Sequence, residues 1–180
     1  MWYLKKAISA DYGGIASLLG TLAEMGRVSR EEVNRCLESL PAWLEGGSVY
    51  CGKQGRNVTA FATIFHTLQE PYFPKGLSYR EESELLEQSN VGSDEIVVIP
   101  YCLSLKQNGS EGEEGLLQAI LGRYPHHSFL SLLPQDEEAR IQTFRSCGFE
   151  YRGEVKIGKE TRGLYCRKYR PSGLCREAYW

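Results

Sequence analysis

The chain has 180 residues, 42% of them apolar and 24% charged, with a formal net charge of −2. That length suits one domain with a substantial core, and the composition is that of an ordinary soluble globular protein. The slight acidity supplies no bulk attraction to nucleic acid or anionic membranes, no apolar run approaches the roughly 20 residues that span a bilayer, and the first residues lack a signal peptide's apolar stretch. A cytoplasmic protein with neither nucleic acid nor membrane as partner is therefore expected.

In chain order, residues 2–8 read as a first strand, and Ser9 and Asp11 as helix-start residues. Ile15, Leu18, Leu19, Leu22 and Met25 recur on one helical face. Ser29-Arg-Glu-Glu32 has the form of a capping box, and Val33, Cys36, Leu37 and Leu40 continue a second helix up to Pro41. Residues 48–51 are a short strand, 52–56 a turn and 58–68 a long alternating strand, together an antiparallel hairpin. Residues 70–94 are the least regular part, with a short helix over 80–88. A connection of this length is either a lid over a site or a solvated insertion.

Residues 95–105 form a nearly unbroken apolar strand, as expected of one buried on both faces. A Gly-rich loop follows, 107–115, then a helix carrying Leu116, Leu117, Ile120 and Leu121. Residues 128–133 make a second apolar strand stopped by Pro134. Ala139, Ile141 and Phe144 mark a last short helix ended by Gly148. A buried strand whose Gly-rich loop opens a helix aims backbone N–H groups and a helix dipole at an anion, most often a phosphate. Residues 151–156 and 163–169 read as a terminal hairpin. Residues 1–170 are thus expected to form a single domain, with 171–180 as a tail that docks on the body or meets a second copy in a homodimer.

Cys36, Cys51, Cys102, Cys147, Cys166 and Cys175 include no C-x-x-C pair. They read as buried free thiols of a reducing compartment, with a disulfide framework as the alternative. The three histidines show no metal-ligand spacing, so no metal is expected. His66 reads as a hydrogen-bonded core residue, His126 and His127 as loop residues, and Cys102 as a poorly supported nucleophile.

Leu116-Leu-Gln-Ala-Ile120 after the Gly-rich loop, and Ala139-Arg-Ile-Gln-Thr-Phe-Arg-Ser-Cys-Gly-Phe149 after the second strand, resemble the two core motifs of the GNAT acyltransferases. The resemblance covers most of the chain. It implies a GNAT-like α/β (α+β) fold: a mixed, mostly antiparallel sheet with helices on both faces and a splayed central parallel strand pair. It implies acetyl-CoA as co-substrate, with a cofactor site at Leu103, Leu105, Gln107, Asn108, Gly109, Ser110, Gly112, Gly115, Asp136 and Phe144. It also implies that the first two helices help to shape the acceptor side.

Against the family pattern Q/R-x-x-G-x-G/A, ungapped alignment puts Asn108 at the Gln/Arg position and Glu111 and Glu113 at the glycine positions. Gly109, Gly112 and Gly115 fall out of step by a residue or two, which a slightly longer loop restores. Glu111, Glu113 and Glu114 favour the helix start but repel a pyrophosphate, by roughly 1 kcal/mol per close charge pair. A working cofactor loop would turn Glu111 and Glu113 away. Asp136 stands where the family has Asn, and Phe144 where many members carry the Tyr that protonates the departing thiolate. Glu95 resembles the carboxylate at the start of this strand in the histone acetyltransferase branch, which implies a general base.

The implied function is acetyl transfer from acetyl-CoA to an amine of a small molecule or peptide. Two alternatives stand beside it. One is a GNAT-fold binding or structural protein without transfer chemistry, and the other is an enzyme using a longer acyl-CoA.

Overall fold

The computed structural model describes residues 1–72, 79–92, 95–106, 112–157 and 159–170. In chain order the elements are β1 (Trp2–Lys6), a 3-10 turn (Ser9–Asp11), α1 (Tyr12–Glu24), α2 (Arg30–Glu45), β2 (Val49–Gln54), β3 (Asn57–Thr63), α3 (Gln69–Tyr72), α4 (Tyr79–Ser89), β4 (Ile96–Val98), β5 (Cys102–Ser104), α5 (Glu113–Arg123), β6 (Ser128–Pro134), α6 (Glu138–Ser146), β7 (Glu150–Ile157) and β8 (Glu160–Arg167). They fall into two compact units, Met1–Ile64 with Tyr101–Leu117, and Phe65–Pro100 with Gln118–Trp180.

The first unit is built on an antiparallel sheet in the order β1-β2-β3-β5. Helix α1 buries Ile15, Leu18, Leu19 and Leu22, spaced three and four apart. It packs closely on β3, since a Cβ on Gly14 would come within 2.7 Å of Val58 Cγ2. Met25, expected on the same face, is 54% exposed. The helix stops before it, because Gly26 takes φ +72° and closes a Schellman cap in which the N–H groups of Gly26 and Arg27 donate to the carbonyls of Ala23 and Leu22.

Helix α2 starts where the capping pattern places it, with Ser29 Oγ accepting the Glu32 N–H at 3.1 Å. It then runs through Pro41 to Glu45, beyond the expected stop. Proline removes a single helical donor, and continuing the helix buries Trp43 and Leu44 on the same side as Cys36 and Leu40. Strand β2 likewise runs through the expected turn at Gly52. A Cβ there would lie 2.5 Å from the Trp2 ring and 2.9 Å from Ala60 Cβ, so Gly52 makes room for cross-strand packing and the reversal waits until Gly55.

The second unit holds a sheet in the order β4-β6-β8-β7, whose β4–β6 pairing is parallel and whose others are antiparallel. Phe129, Leu130, Leu132 and Leu133 of β6 are all fully buried, which is why that strand reads as an unbroken apolar run. Helix α6 ends at Gly148 with φ +93°, and the Phe149 N–H returns to the Phe144 carbonyl. On α6 the buried residues are Arg140 and Phe144, whereas Ala139, expected on the apolar face, is exposed. Helix α4 is tied to β7 by Gln88 Nε2, which donates to the Arg152 carbonyl at 2.8 Å.

The long strand expected over 95–105 is two short strands with different partners. Ile96, Val97 and Val98 pair in parallel with Ser128, Phe129 and Leu130, and the ladder ends where the Ile99 N–H donates to the Leu130 carbonyl. Pro100 has no N–H to extend it. Cys102, Leu103 and Ser104 pair instead with β3. Strand β3 is correspondingly shorter than expected and ends at Thr63, with a single bridge from Phe65 to Val98 beyond it. Its expected alternation fails because Ala60, Phe61, Ala62, Ile64 and Phe65 are all buried.

Cys36, Cys51, Cys102, Cys147 and Cys166 are buried free thiols. Among the described residues no helix is long and apolar enough to cross a membrane. The expected tail over 171–180 lies outside the described residues.

Candidate functional site

The strand–loop–helix segment after β5 is described up to Lys106 and again from Gly112, so Gln107, Asn108, Gly109, Ser110 and Glu111 lie outside the described residues. What flanks them is well defined. Leu103 is buried and Leu105 half-buried, with the Leu105 N–H donating to the Thr59 carbonyl at 2.9 Å. Gly112 is buried beside the start of α5, where its carbonyl accepts the Leu116 N–H at 2.9 Å, and Gly115 is half-buried in the first turn. Leu116, Leu117 and Ile120 are fully buried and Leu121 nearly so, which fixes the helix.

Glu113 does not turn away. It is 5% exposed, and its Oε2 accepts the Ser104 N–H at 3.2 Å and a hydrogen bond from Arg27 Nη2. Arg27 Nη1 donates to the Leu105 carbonyl at 3.0 Å. The guanidinium therefore bridges the end of β5 and the first residue of α5. The Schellman cap on α1 delivers Arg27 to this place. Sequence reasoning missed it, because no local signal links Arg27 to a residue 86 positions later.

The arrangement is complementary to negative charge: a cation, a strand amide and a helix N-terminus converge on one carboxylate. These donors are already engaged, by the Glu113 carboxylate and the Leu105 carbonyl, and the carboxylate is paired with Arg27. Of the acidic residues at issue, Glu114 is exposed and Glu111 lies outside the described residues. Cys102 is fully buried with its thiol 3.7 Å from the Glu113 carbonyl, enclosed rather than presented as a nucleophile.

The other candidates lie in the second unit. Phe144 has no exposed surface and meets Phe149 edge to face, with ring centroids 5.0 Å apart. Asp136 is exposed in the turn between β6 and α6. Arg140, which sequence reading passed over, is buried there; it binds Glu137 at 2.7 Å and donates to the Pro100 carbonyl at 2.6 Å. A Glu–Arg pair at i, i+3 is the signal that could have drawn attention to it.

Glu95 precedes β4 with its side chain 82% exposed, and its Oε2 lies 3.0 Å from His127 Nε2. His127 is thus more than a loop residue. Its ring packs with Tyr124 and His66 at centroid distances of 5.4 and 6.1 Å. His66 is exposed rather than part of the core, with Nδ1 3.3 Å from the Ile96 carbonyl. Among the described residues no group of three or more His, Cys, Asp or Glu side chains is arranged to hold a metal.

No protein-family model and no curated protein sequence matches the chain. Solved structures do. A GNAT-family acetyltransferase from Streptococcus agalactiae superposes with a TM-score of 0.70 at 13% identity, over 94% of this chain and 96% of its own. The YncA structure from Salmonella typhimurium, solved with its cofactor acetyl-CoA, gives 0.58 at 14% identity, over 94% and 95%. An aminoglycoside N-acetyltransferase gives 0.59 at 16% identity, over 100% and 99%. The chain has the fold of the GNAT acetyltransferases. As expected, the strands are mostly antiparallel with one parallel pair, β4 and β6, whose hydrogen bonding reaches Ile99, although they form two sheets rather than one.

Proposed function

We propose that the protein is an acetyl-CoA-dependent N-acyltransferase acting on an amine of a small molecule or peptide. The observation that carries this reading is the neutralised Glu113. An acidic loop was the main physical objection to a pyrophosphate at the start of α5, and Arg27 removes the Glu113 share of that charge. Residues 107–112 and Gly115 would hold the cofactor phosphates through backbone N–H groups, with Leu103 and Leu105 beside the acyl arm.

In the transfer the acceptor nitrogen attacks the thioester carbonyl, the C–N bond forms and the C–S bond breaks. The nitrogen's proton passes to Glu95, which His127 steadies, and water protonates the departing thiolate because Phe144 has no proton to give. The buried free thiols fit a reducing, cytoplasmic setting.

Calorimetric titration with acetyl-CoA, beside coenzyme A and a Gly112→Glu variant checked for folding, tests the reading. Micromolar binding lost in the variant supports it, and a screen of amine acceptors follows. No heat and no thermal shift at millimolar ligand would defeat it. A second reading, binding without transfer, is favoured by one observation, the fully enclosed Phe144. Cofactor binding with no thiol release across a broad set of amines would select that reading.

A further inference from the structure

The second unit holds a cavity of about 480 Å³ that the acyltransferase reading touches only at His127. It is framed by the residues before β6, the start of β7 and the end of β8, and its lining includes His127, Glu150, Arg152, Arg167, Lys168 and Arg170. Four permanent cations thus face one carboxylate, in a chain whose overall charge is −2. That carboxylate is already engaged, since Glu150 pairs with Arg152 Nη2 at 3.1 Å. Among the described residues no carboxylate pairs with Arg167 or Lys168.

Two of the cations have contacts within the unit that restrict them. The Arg152 guanidinium is fixed by Glu150 at one nitrogen, and its Nε is enclosed without a hydrogen-bond partner. The Arg167 stem crosses Gly148 so closely that a Cβ there would lie 3.3 Å from Arg167 Nε, and its guanidinium carbon sits 5.9 Å from the Phe129 ring centroid. An enclosed unpaired N–H is costly, and an anion nearby lowers that cost for Arg152 Nε. Restricted cations also spare part of the ordering entropy that flexible surface lysines must lose on binding.

We propose that this cavity, whose lining includes neither Arg27 nor any residue of the 107–115 segment, is an anion site for small phosphorylated ligands. Its size admits a small molecule, and planar guanidinium groups match phosphate oxygens in pairs.

The test uses the intact protein and inorganic pyrophosphate, followed by calorimetry at low salt and by backbone amide shifts of residues 148–152 and 166–170. Saturable binding is expected, with shifts in those segments. Arg152→Gln and Lys168→Gln should each weaken it by about tenfold. Lys168 is exposed, so its variant tests the charge without disturbing the core. Gly112→Glu should leave the shifts intact, which separates this site from the cofactor loop. Absence of shifts at millimolar pyrophosphate, or equal affinity in wild type and a folded Lys168→Gln variant, would overturn the proposal.

Discussion

Arg27 and Glu113 form a buried ion pair across 86 positions of sequence, with side chains 13% and 6% exposed. The pair ties the cap of α1 to the start of α5 and decides how much negative charge that helix presents. Removing one partner is costly because the other stays buried and charged. Arg27→Met should lower stability in urea by about 3–5 kcal/mol, and Arg27→Met/Glu113→Leu should recover most of the loss. Additive losses in the double variant would show that the two side chains do not act together.

The same pair predicts opposite effects on the cofactor. Glu113→Gln leaves Arg27 unmatched and should tighten acetyl-CoA binding roughly fivefold, the equivalent of about 1 kcal/mol for one nearby charge. Arg27→Met exposes the carboxylate's field and should weaken binding by a similar factor. Calorimetry on folded variants checks this, and indifference to both would place the pair outside the cofactor's reach.

Asp11 makes an acid-labile clasp. Burial alone would raise its pKa, but the Ile8 N–H at 2.9 Å, with Lys5 and Lys53 each at 2.8 Å, outweighs burial and holds the carboxyl at about 2, below the ordinary 3.8. A carboxylate depressed in the folded state stabilises above its unfolded pKa, and that stability drains away as pH falls through the folded value. Stability should therefore drop between about pH 4 and pH 2, and Asp11→Asn should flatten this part of the curve. Acid titration of the melting temperature for both proteins reads it directly.

Gly52→Ala should destabilise by about 1–3 kcal/mol, because the new methyl meets the Trp2 ring and Ala60 with no space to relax. Trp2 also donates through Nε1 to Thr59 Oγ1 at 3.2 Å, so a displaced ring should change its fluorescence along with the melting temperature. A neutral substitution would mean that the β1–β2–β3 packing is looser than these distances state.

Phe144→Tyr would place the family's proton donor at its usual sequence position. The ring is fully buried, so the added hydroxyl should cost about 1–3 kcal/mol without a partner and give no gain in thiol release. A rise in turnover would show that the position reaches the leaving thiolate after all.

The sequence was informative wherever burial imposes a period. The α1 face, the apolar β6 run and the Gly148 stop are legible because each follows from local geometry. The departures at Pro41, Gly52 and residues 95–105 arise where a long-range partner overrides a local preference: Trp43 and Leu44 carry α2 past a proline, and β3 takes Cys102–Ser104 away from the parallel pair. Of the strand, Gly-rich loop and helix expected at the candidate site, the helix is present as α5, the strand is split into β4 and β5, and residues 107–111 of the loop lie outside the described residues. The roles of Arg27 and His127 were not legible, because each depends on a contact that no spacing encodes; for Arg140 the i, i+3 pairing with Glu137 was legible, but its bond to the Pro100 carbonyl was not.

The change of partners around Pro100 has a kinetic consequence. The Val98 and Ile99 amides are locked by bonds to Phe65 and Leu130, whereas the Leu105 amide is locked by Thr59. One short run of sequence thus reports on the opening of two units. Hydrogen exchange should divide it at the proline, with amides on each side following the protection of their own sheet.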